Sequence, residues 1–284
     1  MYMIKYIRLF KYDIQEVLMK INEYFQLLLE GKEQEAEEAR ISTIPDKLIK
    51  FIWLDESEKD DLKFFTLKRD EMWIAHKDSL NDPYEYKGML IDKEKFIEAG
   101  YPIETIKKYQ TIFDINDYGV TCLSSNSIDY LPMWAYYTNN HKGFCVEYEV
   151  IKKDCIHEVL YEPERIKVAS LIIECKKAIK SGQKEKAHLY TKLLLQNLFI
   201  KAKSWEHEKE YRIVYPIDEN SNGMNVPVYK LGMKTSRIVA GINCSEDNKK
   251  KLNEISNSLG LGNIYTSKIH SEEYKMDCMR YEED

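Results

Sequence analysis

Residues 210–242 run EYRIVYPIDENSNGMNVPVYKLGMKTSRIVAGI, and the punctuation of this stretch decides the fold. Its short apolar runs, Glu210–Tyr215, Val226–Leu231 and Arg237–Ile242, predict strands. Asn220–Asn225, between the first two, carries the Asn and Gly of a hairpin loop. Just downstream, Ser245 is placed to cap a helix over Asn248–Leu259. Gly260 closes that helix, and Ile264–Ser267 predicts a further strand. The chain therefore ends on a β-α-β unit.

Working outward, Phe51–Leu54, Met72–Ala75, Gly119–Ser124 and Gly143–Val150 predict more short strands. Ser57–Leu67 predicts a helix whose acidic first turn (Glu58, Asp60, Asp61) suits the helix dipole. Lys93–Gly100 and Pro102–Gln110 are helical in pattern. Ile166–Lys180 and Lys184–Lys203 flank a Ser181-Gly182 break and predict an αα-hairpin inserted between strands. From Tyr12 to Ala39, Ile14, Val17, Leu18, Ile21, Tyr24, Phe25 and Leu28 recur at helical spacing, with Gly31 interrupting. The expected class is α+β: a mixed or antiparallel sheet, a split sheet among its forms, with flanking helices, an inserted helical hairpin and an N-terminal helix. The expected organisation is a helical extension over residues 1–44 and an α+β core over 45–284. The extension either packs on the core or offers a surface for a homodimer.

Composition narrows the function. A net charge of −6 with 32% charged residues argues against general nucleic-acid binding and against an anionic membrane surface. No run of 18 apolar residues and no signal-type stretch is present, so a cytoplasmic protein without a membrane span is expected. The six cysteines, Cys122, Cys145, Cys155, Cys175, Cys244 and Cys278, form no Cys-x-x-Cys pair. They are expected as free thiols, without a zinc site. Many of the 21 tyrosines must line a core or a pocket.

Three polar clusters carry what chemistry the sequence offers. In the first, Trp205–Val214, a continuous strand would place Glu206, Glu208, Glu210 and Arg212 on one face, with same-face carboxylates roughly 6.5–7 Å apart. Such a row needs a cation, and Arg212 supplies one. The row is either a solvated edge or a carboxylate pair facing a cleft. The second, Asn81-Asp82-Pro83-Tyr84-Glu85, has strong turn chemistry and lies downstream of His76. In the third, Met133–Tyr137 leads through Thr138–Lys142 into Gly143–Tyr148. Here Trp134 and the tyrosines form either a stacking wall for a planar ring or a small core. Gly143 is expected to supply an unusual φ. The three clusters are expected to converge on one pocket.

These three ordered motifs, over residues 48–242, resemble a bacterial family described only as a domain of unknown function. The family usually has Phe at the position of Tyr84 and often His at that of Tyr136. A more distant likeness is to ADP-ribosyltransferases. Those enzymes place a Glu, often within Glu-x-Glu, at the start of a strand of a split sheet, as Glu208-Lys209-Glu210 would be. The likeness implies an ADP-ribosyltransferase-like or NAD-cleaving enzyme, a toxin or defence effector, with NAD as substrate and no metal. In it Glu210, Glu208 and Arg212 are catalytic. His76, Asn81, Asp82, Glu85, Ser124, Trp134, Tyr137, His141 and Lys142 bind a small-molecule or protein substrate. The chemistry is coherent, because a fixed carboxylate stabilises the cationic ribose as nicotinamide leaves. Two alternatives stand beside it. One is a metal-dependent hydrolase or nuclease using Asp82, Glu85, Glu147, Glu208 and Glu210. The other is a non-catalytic sensing or interaction module.

Overall fold

The structure, a computed structural model, describes residues 23–110 and 118–282. The chain runs α1 (Glu23–Leu29), α2 (Glu33–Thr43), β1 (Lys47–Ile52), α3 (Lys59–Lys68), β2 (Glu71–His76), β3 (Met89–Leu90), α4 (Lys93–Glu98) and α5 (Ile103–Gln110). It continues through β4 (Tyr118–Ser124), α6 (Leu131–Tyr137), β5 (Phe144–Val150), β6 (Ile156–Glu158), β7 (Leu160–Glu162), β8 (Ile166–Lys167), α7 (Ala169–Lys180), α8 (Lys184–Leu195) and β9 (Ile200–Ala202). Last come β10 (Glu210–Pro216), β11 (Gly223–Pro227), β12 (Met233–Ala240), α9 (Glu246–Ser258), β13 (Tyr265–Ile269) and β14 (Met276–Arg280). Helices around a mostly antiparallel sheet make this an α+β protein.

Two compact units share the chain in alternating segments. The described parts of the first are 23–43, 77–110 and 158–207; those of the second are 44–76, 118–157 and 208–282. The stretch ahead of residue 44 is thus one of three segments of the first unit.

The second unit holds the main sheet, in the order β11-β2-β4-β1-β5-β12-β13-β14, with β10 along β4. Along this order, and between β10 and β4, the described pairings are antiparallel except that of β12 with β13; β6 pairs with the other edge of β10. A strand has two edges, and β10 follows β4 from Glu210↔Ser124 to Pro216↔Tyr118. On the other edge β1 meets β4 only at Ile49↔Ser124, and β2 meets it only at Ala75↔Val120 and His76↔Gly119. Residues 121–123 lie between these two pairings, so the sheet is split there. Each face of the sheet has its own core. Leu48, Leu123, Phe144, Val146, Tyr211 and Ile213 pack on one side under Phe64 and Leu67 of α3 and Leu252 of α9. On the other side Ile49, Cys145 and Val239 pack with Trp134 of α6. Ser245 caps α9, its hydroxyl accepting from the Asn248 amide.

In the first unit, Tyr24, Phe25 and Leu28 of α1 bury in a core with Phe96 of α4, Ile172 of α7 and Leu193 of α8. Tyr24, Phe25 and Leu28 thus bury the apolar face of α1 within its own unit. The pattern over Tyr12–Ala39 falls partly outside the described residues. Within them it is two helices, separated where Gly31 takes a left-handed φ of 76°. Gly182, at φ 69°, breaks α7 from α8 in the same way.

Tertiary pairing shortens several expected elements. Ile166–Lys167 pairs with β3 before α7 begins. Ile200–Ala202 pairs with β7 rather than extending α8. The run Val226–Leu231 ends as a strand at Pro227 and continues as a 3₁₀ turn over Val228–Leu231. Pro227 offers no amide to a ladder, which favours that exit. Short apolar runs fit either period, so the partner decides.

Candidate functional site

The start of β10 is built by a backbone change just before it. Lys203–Glu208 is a 3₁₀ turn, Lys209 is left-handed at φ 45°, and the strand begins at Glu210. The expected row of four same-face residues therefore does not form. Glu206 is exposed and pairs with Lys203 at 2.5 Å. Glu210 and Arg212 do share a face, and both are buried. Arg212 Nε donates to Glu210 Oε1 at 2.7 Å and Nη2 to Oε2 at 3.1 Å. The carboxylate is thus held bidentate by its own strand neighbour.

Glu208 is held differently. Its side chain is buried, and the Tyr137 hydroxyl, at the end of α6, donates to Oε1. Its backbone carbonyl accepts from Ser124 Oγ at 2.6 Å and from Asn126 Nδ2 at 3.0 Å. Ser124 stands directly opposite Glu210 across the β4–β10 pair. Tyr137, Ser124, Glu208, Glu210 and Arg212 are therefore gathered at one strand end, from segments far apart in the chain. His76 does not join them. It stands opposite Gly119, five residues along β4 from Ser124, roughly 17 Å at strand rise.

Two contributors were not legible in the sequence. Asn126 is buried in a loop of polar residues, with nothing local to mark it. Lys50 sits on the strand face of Leu48, Leu123 and Thr121, an apolar pattern in which a lysine is out of place. Its Nζ donates to Thr121 Oγ1 at 2.7 Å and to the Cys122 carbonyl at 3.4 Å, which fills the split between β1 and β2. Burial lowers its pKa, while the nearby Cys122 and Glu210 act the other way.

Trp134 is core rather than an open stacking wall. It is fully buried, its indole donates to the Ile128 carbonyl at 2.6 Å, and Phe51 meets it edge-on at 5.4 Å. His141 lies parallel to it at 6.2 Å. The His141 Nδ1 is buried without a hydrogen-bond partner among the described residues, and burial lowers the imidazole pKa. Lys142 is exposed. The left-handed φ values fall on Asn139, Asn140 and His141, at 53°, 52° and 67°, and not on Gly143. What Gly143 supplies is room, since any Cβ there would collide with the Ile52 carbonyl oxygen. Asn139 Nδ2 ties this turn to the Leu54 carbonyl at 2.9 Å.

On the same sheet face, Glu147 bonds Lys47 at 2.9 Å and Arg237 at 2.8 Å. Burial alone would raise its pKa, but the two cations outweigh it and hold the carboxyl below its usual range. All six cysteines are free thiols, and burial pushes Cys244 up to about 12.

Asn81, Asp82 and Glu85 belong to the first unit. Asp82 is buried, and its Oδ1 accepts from the Tyr84 amide at 2.8 Å, which closes the expected Asx turn. Asn81 is exposed and Glu85 half-buried. Among the described residues no group of three or more His, Cys, Asp or Glu side chains is arranged to hold a metal ion. None of the described helices is long and apolar enough to cross a membrane.

Against known proteins, residues 133–213 match the model of a family described as protein of unknown function (DUF2971). The matched segment opens at Met133 in α6 and closes at Ile213 in β10, so it includes Tyr137, Glu208, Glu210 and Arg212. The Asn81–Glu85 turn lies outside it. No curated protein and no solved structure matches the chain.

Proposed function

We propose that the start of β10 is the site of an NAD-cleaving, ADP-ribosyltransferase-like enzyme. One observation carries this reading: two buried carboxylates, Glu208 and Glu210, stand two residues apart at a strand start, each oriented by a different partner. Both oxygens of Glu210 engage Arg212, so its charge is largely matched and its task is to fix the strand end. Glu208 is then the fixed carboxylate that the chemistry needs. Its carboxylate, aimed by the Tyr137 phenol, stabilises the cation that develops at the ribose as the glycosidic bond breaks and nicotinamide departs. Water or an acceptor side chain completes the transfer. Ser124 anchors the Glu208 backbone and so acts as a positioning residue. The cytosol is the compartment in which this substrate is met.

The test is nicotinamide release from NAD by wild type, Glu208→Gln and Tyr137→Phe. Glu208→Gln should lower the rate by about 10²–10³, the usual effect of removing one electrostatic stabiliser. A wild type that neither binds nor consumes NAD ends the proposal. The alternative of a non-catalytic module then gains, since a bidentate, fully buried Glu210–Arg212 pair is also what a purely structural lock requires.

A further inference from the structure

A second site stands in the first unit, outside anything the carboxylates of β10 need. A cleft of about 490 Å³ opens there, within the range of small-molecule sites. Its wall carries four cations, Lys77, Lys87, Lys93 and Arg165, and the buried ring of Tyr86. Among the described residues, two carboxylates, Asp78 and Glu85, share the lining. The local balance is therefore positive in a chain whose net charge is −6. In an acidic protein, cations gathered round a concavity raise the local concentration of anions.

The frame of this cleft is fixed by buried polar contacts. Asn197, almost fully buried, donates from Nδ2 to the Tyr86 carbonyl and accepts the Met89 amide on Oδ1 at 2.8 Å. Arg165 Nε donates to the Lys87 carbonyl at 2.6 Å, and its Nη2 to the Met89 carbonyl at 2.9 Å. The loop 86–89 is thus clamped from two sides. The clamp also immobilises the Arg165 guanidinium on the cleft wall, with Nη1 outside these bonds. Gly88 packs so closely on Ile200 that a Cβ would lie 2.5 Å from it, which leaves the loop no slack. Tyr86 keeps a left-handed φ of 57°, a conformation that a non-glycine residue holds only when its surroundings impose it. Ordering of this kind reduces the cost of binding.

We infer that this cleft binds a phosphate-bearing small molecule, with the phosphate oxygens on Arg165, Lys77 and Lys93. Arg165 offers a fixed guanidinium charge and its Nη1 donors to phosphate, and the two lysines supply mobile point charges. Asp78 and Glu85 repel a ligand that is anionic throughout, but they accept hydrogen bonds from sugar hydroxyls. Leu80, Met89, Leu90 and Ile91 give the remaining wall its apolar part. A nucleoside phosphate satisfies all of these groups, and free inorganic phosphate satisfies the cations alone.

The experiment is calorimetric titration of the full chain with pyrophosphate and with ADP, at about 0.05 M and about 0.3 M salt. Binding should weaken about tenfold or more in Lys77→Glu/Lys93→Glu, and also at the higher salt. These lysines lie outside the Asn197 and Arg165 clamp, so the variant should keep the wild-type thermal midpoint. Lys268→Glu, an exposed charge change in the other unit, should bind as wild type does. Tighter binding of ADP assigns the site to nucleotides, and equal binding assigns it to phosphate itself. Binding of neither probe overturns the inference, as does equal affinity in the double lysine variant. NAD turnover is read separately on the β10 variants, so a failure at one site does not bear on the other.

Discussion

Glu210 and Arg212 face each other along a single strand, two residues apart, with Nε to Oε1 at 2.7 Å and neither side chain more than a few per cent exposed. Truncating one partner of such a pair strands the other charge in a low-dielectric site. Glu210→Gln should therefore cost about 3–5 kcal/mol, the usual loss when one member of a buried pair is removed. Replacing both, as Glu210→Leu with Arg212→Met, should cost less than either single change. Urea midpoints of wild type, Glu210→Gln, Glu210→Leu, Arg212→Met and the double variant measure this, and additive losses of the Leu and Met changes would contradict it.

Gly143 lies against the Ile52 carbonyl oxygen, with no space for a Cβ. Gly143→Ala must shift β5 or β1, two central strands whose register runs from Lys47↔Glu149 to Ile52↔Phe144. A loss of at least about 2 kcal/mol in chemical unfolding is expected. A variant as stable as wild type would show that the strand ends can yield.

Glu147 should set part of the acid stability. Its folded pKa lies below the ordinary 4.5, because Lys47 and Arg237 outweigh its burial. Its contribution is therefore complete above pH 4.5 and is lost as pH falls through the folded value. Stability measured between about pH 5 and about pH 3 should fall less steeply in Glu147→Gln than in wild type. An unchanged slope would assign the acid limb to other carboxylates.

His141 titrates in the opposite sense. Burial lowers the folded pKa of this base below its ordinary 6.5. The neutral ring suits the fold, so stability is full above pH 6.5 and declines below it, down to the folded value. His141→Phe keeps a ring against Trp134 and removes the titration. Its urea midpoint should change less than that of wild type between about pH 7.5 and about pH 5.5. Parallel loss in both proteins would clear His141 of the effect.

Sequence signals are legible here where the chemistry is local. The Ser245 cap, the Asx turn at Asp82 and the Gly182 break each depend on residues within one turn, and each forms. Strand alternation fails at Glu206 and Glu208, because nothing in a run of Glu and Lys announces a 3₁₀ turn ending in a left-handed Lys209. The aromatic cluster around Trp134 is visible in the sequence, but its depth depends on Ile49, Phe51 and Val239, which only the sheet brings near. Lys50 is hidden for the same reason. Its partners Thr121 and Cys122 come from β4, and the gap it fills exists only because β1 and β2 diverge there.

The alternation of the two units along the chain has a practical corollary for anyone who would cut it. Residues 133–213 resemble a portable module in sequence, yet they draw on both units. Excised, they would carry β5 without β1 and β12, and β10 without β4. Several ladder edges would be left open, an invitation to pair with other copies and precipitate. Transplanting that stretch into another scaffold, or expressing it alone, should yield insoluble material where the whole chain folds. The stretch of sequence that a family model picks out need not be a stretch that can stand by itself.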